Sequence, residues 1–435
     1  MQLTIEKLIY GGDGLARMPA DEQGPGKVVF VPFVLKGERI EASLVEQRPG
    51  FARARADQVI ESFPIRIAPR CPYFMRCGGC HYQHAGYDHQ LEIKAEILKE
   101  NLRRIAKIEL DVELKVHSSP PWNYRNRTRL RIQTVPEFAI GYYRFGSHEL
   151  LPVEECPISS PLINRAIAAM WQMGRAGHIV EGIAEIEFFA NSDDTQLLVQ
   201  VLCSPKTLAA AVDSWAEKLR SEFPQLLGVV AFHQARSGSS VCTRAEPERI
   251  AAVGVKNLTY QTARASYRVS AGSFFQVNRQ LTDELVTIVT EGCSGGMALD
   301  LYAGVGLFST VLNREFDRVI AVESSQTSFA DLQYNSPANL KAVRATVEQY
   351  LPEKAAKLRP DLVVVDPPRN GLGGRVLHGL VGLKAPRITY VSCDPATLAR
   401  DLKHLIAAGY KLEQAHLVDL FPQTYHLESV MRLVR

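Results

Sequence analysis

The sequence predicts a multidomain chain: a small N-terminal β-barrel, a central α+β domain carrying a cysteine loop, and a C-terminal α/β domain with a mostly parallel, doubly wound sheet. Three observations carry this expectation. The 435 residues exceed what one ordinary core holds. Short strand patterns separated by turns crowd the N-terminal segment. From about Ser266, apolar runs of strand length alternate with helical patterns, as in a parallel sheet built from crossover units. The expected domains are 1–62, 63–265 and 266–435.

Composition narrows the class. A hydrophobic content of 46% with 22% charged residues describes a soluble globular protein. With 50 basic against 47 acidic residues the net charge is only +3, so a nucleic-acid footprint must come from local clustering. Residues 2–9 alternate polar and apolar, unlike a secretory signal, and no apolar run is long enough to span a bilayer. The expectations are a cytoplasmic location, no membrane contact and a monomer.

In chain order, residues 3–8 alternate, Gly11-Gly12-Asp13-Gly14 marks a turn, residues 27–34 are strongly β-prone, 38–46 alternate again, and a further strand is expected around 54–59. Four or five strands in so short a segment suggest a small closed barrel. The glycine cluster is not a phosphate loop, because no helix pattern follows it. Pro64 and Pro69 mark a linker.

The loop Cys71-Pro72-Tyr73-Phe74-Met75-Arg76-Cys77-Gly78-Gly79-Cys80 follows. The other cysteines, Cys156, Cys203, Cys242, Cys293 and Cys393, are dispersed. Three crowded thiols in a cytosolic chain argue for a metal or cluster rather than disulfides, and thiolates suit zinc and iron–sulfur equally. Cys156 is the best candidate for a fourth ligand. Residues 84–105 read as a helix with Leu91, Ile97, Leu98 and Leu102 on one apolar face and Ile93 at its margin. Arg125, Arg127, Arg129 and Arg131 fall on one face of a strand, where they are either a phosphate grip or an exposed strand surface. Strands are expected at 184–189 and 197–201.

The C-terminal part carries the chemistry. Gly272-Ser273-Phe274-Phe275-Gln276-Val277-Asn278 precedes a helix over 279–291. The strand 297–302 ends in Ala303-Gly304-Val305-Gly306, with helix directly after, and a second strand stops at Glu323. The two glycines let backbone approach a ligand, and an acidic residue at the next strand end suits ribose hydroxyls. Ser309 stands where a dinucleotide fingerprint has its third glycine, so S-adenosylmethionine binding is expected over nicotinamide chemistry. Strand 362–365 ends at Asp366-Pro367-Pro368, whose prolines stiffen the loop and withhold N–H groups. Strand 388–391 ends at Ser392-Cys393-Asp394-Pro395, with Asp394 placed as the cap of a helix starting at Pro395. A thiol beside a helix N-terminus has a route to a lowered pKa and a nucleophilic role.

These stretches occur together with Arg369-Asn370-Gly371, Ala396-Thr397-Leu398-Ala399-Arg400-Asp401-Leu402 and His426-Leu427-Glu428, and in that order the chain closely resembles the RNA uracil-5-methyltransferase family. Glu6-Lys7-Leu8 through Arg17, with Val28-Val29-Phe30-Val31-Pro32, resembles a TRAM domain, an oligonucleotide-binding-type barrel of RNA-modifying enzymes. The resemblance implies Cys393 as nucleophile and Glu428 as the base that removes the C5 proton. It implies Gln276, Tyr302, Glu323 and Asp366 around S-adenosylmethionine, and Cys71, Cys77, Cys80 and Cys156 holding a four-iron four-sulfur cluster rather than zinc. It implies structured RNA as partner, ribosomal (23S) RNA ahead of transfer RNA because of the barrel and the cluster. Ala303, Leu307 and Thr346 depart from the family pattern around the cofactor loop. The competing expectations are an RNA cytosine-5 methyltransferase, which shares the thiol logic, and a non-catalytic RNA-binding protein that kept the scaffold.

Overall fold

The computed structural model describes residues 1–19, 26–234 and 248–435; Cys242 lies outside them. The N-terminal strands form one six-stranded sheet in the order Gln2–Thr4, Arg39–Gln47, Phe51–Glu61, Val28–Pro32, Asp13–Arg17, Lys7–Leu8. Its two outer strands are consecutive in the chain, so the sheet curls back on itself around Leu3, Ile5, Val29, Val31, Ile40 and Ala52. The count is six rather than four or five because the first strand breaks after Thr4 and serves both edges.

The central seven-stranded sheet runs Leu150–Pro152, Ala139–Tyr143, Arg127–Gln133, Ile183–Ala190, Leu197–Cys203, Leu226–His233, Arg249–Gly254. The helices Pro161–Arg175 and Ala209–Glu222 bury their apolar faces on it. Both strands expected at 184–189 and 197–201 are present here and pair antiparallel.

The arginine row is half corrected. On the strand Arg127–Gln133, Arg129 pairs with Glu187 at 2.8 Å and Arg131 with Glu185, while Arg127 lies over the Phe189 ring at 4.2 Å. Cross-strand register opposite Ile183–Ala190 supplies these carboxylates, so the row is largely neutralised within the sheet. Arg125 alone turns elsewhere.

The C-terminal sheet has eight strands in the order Leu340–Arg344, Phe316–Glu323, Gly295–Leu301, Leu362–Val365, Arg387–Ser392, Glu428–Val434, Lys411–Val418, Leu114–His117. The first five are parallel, and Glu428–Val434 runs against both neighbours. Leu362–Val365 is buried at every position, as a β-branched strand covered on both faces must be. Strand order reverses between Gly295–Leu301 and Leu362–Val365, the place where open α/β sheets bind ligands. The helix after the glycine loop is only Ser309–Leu312, shorter than its apolar pattern suggests, because residues 303–308 are spent on turns.

Two pieces of the 63–265 stretch serve this C-terminal layer. Leu114–His117 adds the outermost strand, parallel to Lys411–Val418. The helix Tyr87–Asn101, continued as a π-turn over Leu102–Ala106, places Leu98, Leu102 and Ala106 in the same core as Leu398 and Leu402. Ile93 is buried rather than marginal, packed in the core of the N-terminal sheet. Lys94 on this helix is also buried, its ammonium 2.6 Å from Asp419 and 2.9 Å from the Phe421 carbonyl. A buried charge requires such a partner. No helix among the described residues is long and apolar enough to cross a membrane.

Candidate active site

The register of the antiparallel pair sets the site. The antiparallel pairing ends with Ser392 opposite Ser429, and Cys393 and Glu428 are the residues next to that last pair, at the carboxyl end of the parallel strands and close enough for the Glu428 charge to act on the thiol. The Cys393 backbone is fixed on its far side by Asp394, whose carboxylate accepts the Ala396 and Thr397 N–H groups at 3.0 and 2.8 Å and caps the helix Pro395–Ala407. Asp366 closes the neighbouring strand, and Arg369 follows it across the Pro367-Pro368 bend.

These groups titrate as a cluster. Burial pushes the Cys393 thiol up to about 12, and the negative charges of Glu428 and Asp366 push in the same direction against Arg369. This overturns the expectation of a thiol acidified by its helix N-terminus: the cap is already satisfied by Asp394, and burial beside carboxylates outweighs the dipole. Burial also raises Glu428 well above the carboxylate range, with Asp366 adding to it. Asp366 is raised to about 7 by burial and by Asp300. His426 is held neutral, near about 3, by burial and Arg369, whose guanidinium stands 3.3 Å from its Nδ1.

At the switch point, Tyr302 adopts a left-handed backbone (φ 64°) and its hydroxyl meets Glu348 at 3.2 Å. Glu323 accepts the Gly304 N–H at 2.9 Å and the Ser325 N–H at 2.7 Å, which folds the glycine loop around the strand end. A side chain on Gly304 would meet nothing within 4 Å, so the backbone there faces open space. Asp300 is buried with one oxygen bonded to Ser309 and the other unpartnered. Gln276 is buried in the segment before the helix Thr282–Thr290. Buried carboxyls around an open backbone cradle fit a ligand that is cationic at its centre. Thr346, where an acidic residue was expected, instead caps the helix Val347–Lys354 through Gln349 N–H, and the acidic group near Tyr302 is Glu348.

Cys71, Cys77, Cys80 and Cys156 line one cavity of about 240 Å³ between the cysteine loop and the central sheet. Burial raises the Cys71 and Cys80 thiols and lifts Cys77 to about 11. Arg125 lines the same cavity with its buried Nε unpartnered. Thiols that are costly to ionise, lining a cavity with a guanidinium whose buried Nε is unpartnered, fit an anionic thiolate-held group. Among the described residues, no three His, Cys, Asp or Glu are arranged to hold a metal ion.

Sequence reasoning missed several residues. Arg369 directly follows Asp366-Pro367-Pro368 in the chain, yet only the fold brings its charge to bear on Cys393 and Glu428. Gln423, in a left-handed conformation (φ 70°), is tied to Gln90 by paired amide bonds of 2.9 and 3.0 Å and accepts the His81 and Tyr82 N–H groups. A non-glycine at positive φ has no sequence signal.

Fold and site together define an S-adenosylmethionine-dependent methyltransferase of RNA. Residues 86–435 match the model of the tRNA (uracil-5-)-methyltransferase family, and the chain belongs to that family of RNA (uracil-5-)-methyltransferases. It is 33% identical to an uncharacterized RNA methyltransferase of Aquifex aeolicus, covering 100% of this chain and 98% of that one. It is 30% identical to a second, from Caldanaerobacter subterraneus subsp. tengcongensis, over the same shares. Among solved structures it resembles the Pyrococcus abyssi tRNA (uracil-54, C5)-methyltransferase in complex with S-adenosyl-L-homocysteine, with a TM-score of 0.76, 25% identity and full coverage of both chains.

Proposed function

We propose that this chain methylates C5 of a uridine in structured RNA by covalent addition of Cys393 to C6. The observation that supports this is the cluster of Cys393 and Glu428, both desolvated, with Asp366 at the strand ends, where the charges of Glu428 and Asp366 act on the thiol. Uracil C5 is a weak nucleophile until a thiolate adds at C6 and makes an enolate. S-adenosylmethionine, when bound, supplies an electrophilic methyl group and a positive charge among these carboxyls. Arg369 opposes the burial of the Cys393 thiolate and the Glu428 carboxylate. After methylation, Glu428 removes the C5 proton, the C5–C6 double bond reforms, and the Cys393 sulfur leaves with the electron pair of the C–S bond. The target base must leave its stack to reach so recessed a pair.

Gln276, Tyr302, Glu323 and Asp366 surround the cofactor in this reading, with Glu323 toward the ribose. Cys71, Cys77, Cys80 and Cys156 hold a four-iron four-sulfur cluster whose role is structural or RNA-orienting, with Arg125 as its counter-charge. A polynuclear group filling a cavity suits sulfurs that do not converge on one ion. The N-terminal sheet acts as a TRAM-like RNA-binding barrel, and the protein works as a cytoplasmic monomer.

Barrel and cluster favour ribosomal RNA, 23S in particular. Transfer RNA is the second reading, favoured by the full-length likeness to the Pyrococcus abyssi enzyme. Incubating the protein with each RNA pool and methyl-labelled cofactor, followed by nucleoside analysis, tests the proposal: 5-methyluridine is expected, and 5-methylcytidine or no base methylation contradicts it.

A further inference from the structure

We infer that Tyr10, from the N-terminal sheet, is a positioning residue for the nucleophile: its hydroxyl donates to the backbone carbonyl of Cys393 and fixes the peptide that carries the thiol. The bond is 2.8 Å and joins residues 383 positions apart. This inference rests on the reading of Cys393 as nucleophile.

The turn that presents Tyr10 is built for this reach. Gly12 N–H donates to Ile9 O at 3.2 Å and Ile9 N–H to Asp13 O at 3.0 Å, closing a tight turn between Lys7–Leu8 and Asp13–Arg17. Gly11 and Gly12 sit at φ 111° and 93°, values that side chains rarely adopt. A Cβ on Gly12 would stand 2.9 Å from the His81 ring, so the turn lies directly against the end of the cysteine loop. The glycine cluster that resembles no phosphate loop thus has a use: it lays backbone flat on His81 and projects Tyr10 toward the sheet ends.

Tyr10 touches the Cys393 carbonyl and the segment that leads to Glu428. Its ring packs edge-on against Tyr425 at 5.4 Å, and Tyr425 lies three residues before Glu428 and 4.6 Å from the His81 ring. On the other side, the strand Arg387–Ser392 fixes the Cys393 peptide from the N-terminal direction and the Asp394 cap from the C-terminal direction. The Cys393 carbonyl lies between these two, and Tyr10 supplies its donor. Burial and the nearby Asp394 hold the phenol above its ordinary range, so it stays a donor across working pH. A nucleophile must sit within a narrow geometry to attack, and a peptide free to rotate loses that geometry.

The test uses the full-length chain, 5-fluorouridine-containing substrate RNA and S-adenosylmethionine, and compares wild type with Tyr10→Phe, which keeps the ring on Tyr425 and removes only the hydroxyl. The rate of covalent adduct formation should fall about three- to tenfold, the range one hydrogen bond supports. RNA affinity and cofactor affinity should stay within about twofold. Cofactor binding also reports that the variant is folded. An adduct rate equal to wild type overturns the inference, and so does a loss in RNA affinity as large as the loss in rate, which would make Tyr10 a substrate contact. Absence of adduct in the wild type would instead remove the nucleophile assignment, and the inference with it.

Discussion

Cys393 and Glu428 flank the last cross-strand pair, Ser392–Ser429, and the Glu428 carboxylate works against ionisation of the nearby thiol. The thiol is raised to about 12, so alkylation of Cys393 by iodoacetamide in the free protein should accelerate about tenfold per pH unit from 7 to 10. Glu428→Gln removes a negative neighbour, favours the thiolate and shifts the profile to lower pH. A plateau near pH 8.5 in the wild type would contradict this electrostatic picture.

Glu428→Gln also separates addition from elimination. Turnover should drop by about 10² to 10⁴, the span assigned to a positioned general base. Ordinary uridine RNA should then accumulate as a methylated covalent complex on denaturing gels. Loss of turnover without any accumulated complex would place Glu428 before the methyl transfer rather than after it.

Asp366 is held protonated up to about 7 against an ordinary 3.8. The folded chain therefore binds this proton more tightly than the unfolded chain, and stability falls as pH rises from about 4 to about 7. Asp366→Asn removes that penalty. It should melt a few degrees higher than wild type at pH 8, match it near pH 4, and lose cofactor binding. Equal melting temperatures at pH 8 would show the carboxyl to be unstrained.

Lys94 and Asp419 form a buried ion pair that ties the helix Tyr87–Asn101 to the loop before Glu428. Lys94→Met leaves the aspartate uncompensated and should cost about 3–5 kcal/mol by denaturant unfolding. Lys94→Met combined with Asp419→Leu should recover part of this. Additive losses would argue against the pairing.

The cysteine cavity predicts brown protein after purification without oxygen, with about four iron and four sulfide per chain. Cys156→Ser should lower both. Zinc with no iron would refute the assignment.

The C-terminal α/β sheet was largely legible, because strands such as Leu362–Val365 are apolar throughout and end in glycine, acidic or proline-rich stretches. The helix cap at Asp394 was legible for the same local reason. What escaped was set at long range. Lys94 and Asp419 are 325 positions apart and read singly as surface charges. The arginines of 127–131 alternate as a phosphate grip would, yet Glu185 and Glu187 meet them across the sheet. The weak acidity of Cys393 is not legible in the sequence, because the helix N-terminus is local, whereas the Glu428 and Asp366 carboxylates arrive through the tertiary fold.

The central claim is a covalent bond between Cys393 and uracil C6. RNA containing 5-fluorouridine tests it directly, because in the proposed reaction fluorine at C5 leaves no proton for Glu428 to remove and stalls elimination. Wild-type protein with S-adenosylmethionine should yield a stable protein–RNA complex whose modified peptide contains Cys393, and Cys393→Ala should yield none. No complex from the wild type with either ribosomal or transfer RNA, or an equal yield from Cys393→Ala, would contradict the account.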